Sequence, residues 1–463
     1  MKKSVILICF TIIIGKIEAQ FEIPKINLET STLINVSDST SFWLFNNQYA
    51  KYSLTNSCAI ININIEDRIN SEKFFDYSYG VEAYTRFDDQ INPILHQLYG
   101  KIKIWEIIIS GGKYEDIQNY SDSLLSSGHI LWSKNARPFP KICISSNGYY
   151  TIPFTFDLLE VKGKLEHGWF NDERYVDSVL LHHKNLYGRI GKEFPVNIFV
   201  GLEHYVQWGG SSPTLGELPS DFDAFIKVFS SSGGDSGTVV PGEVTNNLGN
   251  HIGSWNIGME LKTKPFNGIL YWQSIFEDNS GRKRQNLPDG LWGININTKN
   301  NKYIINNILY EYIHTTDQSG PVHIWNDSVR LSGNDNYFNH GIYNSGWTYD
   351  KMTIGIPFIT SSQYNSDSNY FRLNNTRIRY HHFGLAGKYK DIYFRSLISF
   401  GKNYGTHPNP YSKIKNQSSL FFEISTNLES LYNIQLKTSI GADIGKMYGN
   451  NLSFFISLNK QIL

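Results

Sequence analysis

The chain has 463 residues with 42 basic and 42 acidic side chains, so it offers no broad basic surface for nucleic acid. Three cysteines are too few for a disulfide scaffold or a zinc site. Aromatic residues make up 14% of the chain, yet no apolar stretch of about 20 residues follows the first segment, which excludes a bundle of membrane-spanning helices.

The first segment is a predicted signal peptide. Lys2 and Lys3 precede an apolar run over 5–14, and Ala19 marks a cleavage position. The run is too short to span a bilayer as a helix. We therefore predict a leader over 1–19 and a single outer-membrane barrel domain over 20–463. Of the cysteines that remain, Cys58 and Cys143, we predict free thiols.

The rest of the chain alternates apolar and polar residues with a period of two, which is typical of strands with one apolar face. Many alternating runs are about 10 residues long, the length needed to cross an outer membrane at a tilt. Trp or Tyr near their ends fits aromatic girdles at the two membrane interfaces. The sequence therefore predicts an all-β fold, a transmembrane antiparallel β-barrel of about 18 strands with long loops. Clear examples of the runs are 59–66, 77–86, 196–207, 254–261, 433–444 and 451–459.

One helix interrupts the strands. Phe222, Phe225, Ile226 and Phe229 lie at helical spacing behind a Ser/Asp cap, and a flexible Ser/Gly-rich loop follows over 230–237. We predict that this helix packs on or inside the barrel and serves as a small helical plug.

Paired histidines and scattered carboxylates are the candidate chemical groups. His182-His183 and His381-His382 look like metal-site fragments, but neighbouring residues in a strand point to opposite faces, which favours ordinary histidines. Two carboxylates about 5 to 10 Å apart could hydrolyse a glycosidic bond, and this alternative stays open. We assign no catalytic residue, metal site or cofactor. The candidate carboxylates are Asp172, Glu173, Glu203, Glu277, Asp278 and Asp289.

A second set of polar residues is predicted to line the lumen. Arg377, Arg379 and His381 share one face of a strand, opposite Ile378 and Tyr380, and we expect that face to point inward. Glu82, Glu203 and Glu260 are expected to face inward as well. This lining either fills the lumen with paired charges or contacts a polar ligand.

Junctions rich in glycine and tryptophan are the most distinctive local feature. Glycine lets the chain bend tightly at strand ends, and a nearby Trp offers a flat apolar face with an N–H donor. Sugars stack on such faces, but interface girdles use the same residue. The candidate polysaccharide-binding residues are Trp169, Trp208, Trp255, Trp292, Arg377 and Arg379.

These junctions and their surroundings resemble the capsule assembly Wzi family over nearly the whole mature chain. The resemblance implies a barrel of about eighteen strands with a helical bundle near its periplasmic end. It also implies a lectin-like role, in which exported capsular or extracellular polysaccharide is held at the cell surface without being cut. Outer-membrane lipid and the polysaccharide export machinery are further expected partners. The matching stretches are SGH at 127–129, NARP at 135–138, KLEHGWF at 164–170, LHHKNLY at 181–187, GLEHYVQWGG at 201–210, LGNHIGSW at 248–255, FED at 276–278 and DGLWG at 289–293.

Two other functions remain as alternatives. A porin-like channel would use the polar lumen to pass small solutes. A membrane-bound glycosidase would use two of the candidate carboxylates. Conductance and polymer chain length distinguish them from a polysaccharide-binding barrel.

Overall fold

The computed structural model describes eight stretches of the chain. The predicted leader over 1–19 and the end of the predicted Ser/Gly-rich loop, 235–237, lie outside the described residues. The described stretches are 24–116, 120–192, 194–234, 247–300, 303–321, 324–326, 329–367 and 371–462.

Long antiparallel strands form one closed barrel. The main sheet of the described chain has 19 strands, one of which is the two-residue strand Tyr150–Thr151. The other eighteen each pair with the next along the chain, and the last pairs with the first, so the sheet has no free edge. They are β1 (Lys25–Asn35), β2 (Cys58–Glu66), β3 (Phe75–Phe87), β4 (Ile91–Ile104), β5 (Ile107–Lys113), β6 (Pro140–Ser146), β7 (Leu159–Trp169), β8 (Leu180–Ile190), β9 (Val196–Trp208), β10 (Asn250–Lys262), β11 (Phe266–Phe276), β12 (Gly290–Thr298), β13 (Ile305–His314), β14 (Ile378–Tyr389), β15 (Ile392–Gly405), β16 (Pro410–Leu428), β17 (Ile434–Gly445) and β18 (Asn451–Gln461).

The two ends of the barrel differ in the length of their connections. At the end where β1 begins and β18 ends, strands are joined by short turns such as 105–106, 263–265 and 390–391. The opposite end carries long connections, including 315–377 between β13 and β14. Outer-membrane barrels have short periplasmic turns and longer extracellular loops. The long-loop end therefore faces the cell surface and the short-turn end faces the periplasm.

Alternation along the strands separates a polar inner face from an apolar outer face. On β9, Asn197 and Glu203 are buried inside the barrel, whereas Ile198 and Val200 are half exposed on the outside. Because lipid contacts the outer face, exposed apolar side chains there are the stable arrangement. The predicted strand faces are confirmed at this strand.

Cys58 on β2 and Cys143 on β6 are free and buried.

An aromatic row encircles part of the outer wall near the long-loop end. Its members are directly opposite one another on five consecutive strands, β11 to β15. The first two rings stack with centroids 5.1 Å apart. Such a row is typical of the girdle at a membrane interface. The aromatic row consists of Trp272, Trp292, Tyr312, His381 and Phe400.

Three long segments fold back into the lumen and close it at the long-loop end. They are the described parts of 36–57, 120–139 and 333–376, and we call them the plug. The one-turn helix α1 (Phe42–Phe45) belongs to the first segment and is buried throughout. A plug is confirmed, but it is built mainly from irregular chain. Its fully buried apolar side chains include Leu125, Ile130, Phe338, Trp347, Ile356 and Phe358.

The predicted helix forms, but not inside the barrel. Helix α2 (Phe222–Ser230) is capped by Asp221, whose side chain accepts a hydrogen bond from Ala224 N at 2.8 Å. Ala224 and Val228 pack against Val206 and Trp208, two residues of β9 that point away from the lumen. The predicted role of this helix as a plug is therefore wrong. The reason is that the outer face of β9 ends in the apolar pair Val206 and Trp208, so the helix buries its own apolar residues there.

The remaining helices give no bundle. Helix α3 (Asn279–Arg282) follows β11 at the long-loop end. Helices α1 and α2 lie at the same end, after β1 and β9. The helical bundle implied near the periplasmic end is not found in the described stretches. Among the same residues, no helix has the length and apolar character needed to cross a membrane.

Candidate functional site

Glu311 on β13 is a main anchor between the barrel wall and the plug. Its side chain is fully buried and accepts hydrogen bonds from Ser126 Oγ at 2.6 Å, Ser127 N at 2.9 Å and Tyr271 OH at 2.5 Å. A buried carboxylate is costly unless several donors satisfy it. Three elements, β11, β13 and the plug segment over 120–139, are thereby fixed at one point.

Glycines on the inner wall make room for the tyrosines that donate hydrogen bonds to Glu311 and Glu203. A Cβ at Gly293 would lie 2.1 Å from the Tyr271 ring, and one at Gly201 would lie 2.1 Å from the Tyr187 ring. Each tyrosine therefore lies flat across a glycine of the next strand. The Tyr187 hydroxyl donates to Glu203 at 2.5 Å. Glycines facing tyrosines on neighbouring strands are a signal that sequence analysis could have used.

Other inward polar side chains hold the plug backbone. Gln273 Oε1 accepts a hydrogen bond from Ile130 N at 2.6 Å. Asp443 accepts one from Phe42 N, at the first residue of α1, at 2.8 Å. Buried backbone groups need such partners because no water reaches them. The polar lumen therefore serves as a scaffold that fixes the plug.

A cluster of paired charges lines the wall on the β6 to β8 side. Lys164 Nζ lies 2.8 Å from Asp116 and 3.0 Å from Glu166, and Lys141 Nζ lies 3.6 Å from Glu166. His183 Nδ1 is 3.7 Å from Glu166. Cations and carboxylates alternate in this cluster, so the charges compensate one another within the lumen.

The inward glutamates predicted from sequence also belong to ion pairs or hydrogen bonds. Glu82 lies 2.7 Å from Lys51 Nζ, and Glu260 lies 3.6 Å from Arg189. Glu203 is bonded to two tyrosines. Their predicted inward orientation is confirmed, and their contacts favour paired charges that fill the lumen.

On the short-turn side of the plug the lumen remains hollow. Two cavities of about 320 and 390 Å³ both border Glu115. One reaches Lys437 near the start of β17, and the other reaches Gly148 in the turn after β6. In the described residues, the lumen therefore keeps hollow space on the periplasmic side of the plug, while the plug closes it toward the cell surface.

Glu82, His96 and Glu115 form the set of possible metal ligands in the described residues, with ligand atoms within 4.8 Å of one another. Lys51 already pairs with Glu82, and His96 Nε2 lies 2.8 Å from Glu115 Oε1. Glu82 is therefore already paired with Lys51, and Glu115 already contacts His96, without a metal ion. Sequence analysis missed this set because its members are not adjacent along the chain.

The paired histidines behave as the strand geometry predicts. His183 stacks on Tyr205 inside the barrel with ring centroids 3.9 Å apart, whereas His182 contacts the Phe225 ring of α2 outside. His382 lies inside and bonds Leu125 O at 2.7 Å. His381 lies outside in the aromatic row. Neighbouring histidines thus point to opposite faces, as predicted.

Three of the candidate glycosidase carboxylates, Glu203, Glu277 and Asp289, accept hydrogen bonds from buried groups, whereas the Glu173 side chain is 81% exposed. Glu277 Oε1 accepts from Phe338 N at 2.7 Å, and Asp289 accepts from Gln318 N at 2.7 Å. Asp289 also lies 2.7 Å from His314 Nδ1. These carboxylates fix the loops around the plug.

The four candidate tryptophans all lie on the outer wall. Trp292 is 42% exposed in the aromatic row, and Trp255 also faces outward on β10. Trp208 is buried beneath α2, and the Trp169 ring lies 5.2 Å from His167. These side chains are spread around the wall and do not converge in one groove.

Arg377 and Arg379 also lie on the outside, so their predicted inward orientation is wrong. Ile378 and Tyr380 occupy the inner face, and Tyr380 stacks on Phe358 of the plug at 4.3 Å. At this level the lumen is filled with apolar plug residues. Apolar side chains therefore face inward here, which inverts the usual pattern of a barrel.

A polar surface that sequence analysis missed covers the plug at the long-loop end. Arg372 Nε donates to Asn344 Oδ1 at 2.9 Å, and Asn365 Nδ2 donates to the Arg372 carbonyl at 2.9 Å. Asn374 Nδ2 donates to Asn365 Oδ1 at 2.7 Å. We call Asn344, Asn365, Arg372 and Asn374 the cap surface. Amides and guanidinium groups supply both the donors and the acceptors that sugar hydroxyls need.

We expect His129 to make the stability of the plug depend on pH. Burial lowers the pKa of His129 to about 4, although Glu203 and Glu311 act in the opposite direction. In the unfolded chain the pKa is about 6.5, so the unfolded state binds more protons between these values. Stability is fully present above pH 6.5 and falls as the pH approaches 4, by roughly 3 kcal/mol from this group.

This dependence can be measured by protease resistance of the plug in folded barrels between pH 7 and 4.5. His129→Asn, which cannot titrate in this range, should lose less resistance on acidification than the unmodified protein. An identical pH dependence in both proteins would show that His129 does not contribute.

The family model for capsule assembly protein Wzi matches residues 46–377. Among solved structures, the Escherichia coli outer-membrane protein Wzi, described as a carbohydrate-binding β-barrel involved in group 1 capsule assembly, has a TM-score of 0.60 at 12% identity, covering 95% of this chain and 84% of that chain. Pseudomonas aeruginosa OccK5 (OpdH) has a TM-score of 0.50 at 8% identity, covering 95% and 98%. At 12% and 8% identity, both comparisons show a shared fold and nothing more. A search of the curated proteins found no significant match.

Proposed function

Because the chain belongs to the capsule assembly protein Wzi family, we propose that this outer-membrane barrel binds exported polysaccharide and holds it at the cell surface as a capsule or exopolysaccharide. The observation that carries the proposal is the closed long-loop end, whose exposed face is the cap surface. The export machinery that delivers the polymer is a further candidate partner. The leader predicted over 1–19 fits this route and stays a prediction.

The closed lumen supports surface binding over passage through the barrel. Trp347 and Phe358 are fully buried across the lumen, and Glu311 fixes the neighbouring segment to the wall. A polymer that reaches the cell surface therefore meets the outer side of the plug. There the cap surface offers the exposed Arg372 and Asn374 beside the half-buried Asn344 and Asn365, which are hydrogen-bonding groups that a flexible glycan can contact.

The contacts of the candidate carboxylates support a role without catalysis. Glu203, Glu277 and Asp289 are each engaged by tyrosines or by backbone N–H groups. A glycosidase needs two carboxyl groups that face one scissile bond across an accessible cleft. Groups used as structural acceptors do not meet that requirement. We therefore propose that the polymer is bound and not cut.

We expect the double variant Asn344→Ala/Arg372→Ala to shift polysaccharide from the cell surface to the medium. Removing hydrogen-bond partners, one of them charged, should weaken glycan binding by about tenfold or more. The ratio of cell-bound to released polymer, measured in cells with intact export, checks this. The purified protein should leave the chain length of the polymer unchanged.

A matched control removes the same residue types at the other end of the barrel. Arg68→Ala/Asn70→Ala changes exposed groups in the turn between β2 and β3, which faces the periplasm. This control should retain cell-bound polymer. If Asn344→Ala/Arg372→Ala also retains all of it while folded, the cap surface is not the polysaccharide site.

A further inference from the structure

Three cations form an exposed patch on the outer wall where β14 and β15 approach the long-loop end. Arg379 is exposed on β14, directly opposite Lys402 on β15. Arg377 lies two residues beyond Arg379 on the same face. We call Arg377, Arg379 and Lys402 the rim patch. Like charges directly opposite each other on neighbouring strands destabilise a sheet unless an anion lies between them.

Neutral groups of the protein position the two guanidinium groups without neutralising them. Arg379 Nε and Nη2 donate to Thr316 Oγ1 at 3.2 and 3.0 Å, and Arg377 Nε donates to the Thr316 carbonyl at 3.2 Å. Asp289 and Asp317 act on Arg377 only at longer range. Asp289 is already paired with His314. In the described stretches, no carboxylate forms an ion pair with the rim patch.

The height of the rim patch in the membrane follows from the aromatic row. His381 and Phe400 belong to that row, and Arg379 and Lys402 are the next outward-facing pair toward the cell surface. Two residues advance a strand by about 7 Å. The cations are therefore one step above the aromatic girdle, where lipid headgroups begin.

We propose that the rim patch binds phosphate groups of an outer-leaflet lipid headgroup, a phosphorylated glycolipid. Arg379 and Lys402 contact the phosphate from neighbouring strands, and Arg377 contacts the same headgroup from above. The aromatic row packs against the acyl chains below. Guanidinium groups suit this role because their planar donors match phosphate oxygens in pairs. The lipid compensates the repulsion between the cations and fixes the barrel's depth, and this role does not depend on the polysaccharide function.

The test uses the purified full chain in neutral detergent and native mass spectrometry with lipid A as the probe. The unmodified protein should bind diphosphorylated lipid A at least about tenfold tighter than dephosphorylated lipid A. Equal affinity for the two lipids would overturn the proposal, and this measurement needs only the unmodified protein. Displacement by equimolar inorganic phosphate would overturn it too, since phosphate alone would then suffice.

The variant Arg379→Gln/Lys402→Gln should bind both forms of lipid A equally weakly. Its control, Lys388→Gln/Lys390→Gln, removes the same charge from the other end of the same hairpin and should keep the preference for phosphate. An equal loss in the control would contradict the proposal. If the rim variant keeps its lipid affinity but releases polysaccharide from cells, the patch belongs to the polymer instead.

Discussion

Replacing Glu311 with alanine is expected to turn a closed barrel into a conducting one. The substitution leaves Ser126 Oγ, Ser127 N and Tyr271 OH without their acceptor inside the lumen. Each buried donor left unpaired costs about 1–3 kcal/mol. The plug segment over 120–139 then loses its strongest connection to the wall.

Planar bilayers provide the measurement. The unmodified protein should conduct poorly, whereas Glu311→Ala should show frequent, large openings as the plug segment leaves the lumen. Glu160→Ala is the matched control, because Glu160 is a buried wall glutamate paired with Arg189 of the wall at 2.7 Å. If Glu311→Ala conducts no more than the control, Glu311 does not hold the plug. Steady large conductance of the unmodified protein would favour the porin-like alternative.

Trp347→Ala is expected to cause the largest loss of stability in the plug. The Trp347 side chain is fully buried, its ring lies 5.2 Å from that of Tyr205, and its Nε1 donates to Leu131 O at 2.7 Å. Truncating a buried Trp removes apolar contacts and leaves a cavity, at a cost of about 3–5 kcal/mol. The carbonyl of Leu131 also loses its partner.

Urea unfolding of the plug, followed by protease sensitivity within 333–376, measures this loss. Trp292→Ala serves as the control because Trp292 is partly exposed in the aromatic row, so its removal should leave the plug unchanged. A plug equally resistant in both variants would mean that Trp347 is not central to its packing.

Local patterns were sufficient for the barrel and for several side-chain orientations. A period of two predicts strands. Because alternate residues of each strand face the lipid, the outward residues are apolar and the residues between them face inward. For this reason the inward orientation of Glu82 and Glu203 was predicted correctly. The opposite orientations of His182 and His183 follow from the same geometry.

The predicted side-chain orientations were wrong where the plug replaces water inside the barrel. Arg379 was expected inward because polar residues usually line a lumen, but Tyr380 takes that place by stacking on Phe358. Helix α2 was predicted to pack on or inside the barrel as a plug; it packs on the outer face of β9, so only the plug role was wrong. In both cases the decisive contact joins segments distant in sequence, and no local pattern identifies such a contact.

The sequence by itself determined that this chain forms an antiparallel barrel of about eighteen strands, because alternation is a property of adjacent residues. Only the tertiary structure decided that the plug closes the lumen of the barrel, and which polar groups lie at the cell surface. Ser126 and Glu311, which join plug to wall, are 185 residues apart, and the cap surface exists only once the plug has folded. Contacts between such distant segments depend on how they fill the shared lumen, and no local pattern of residues reveals that.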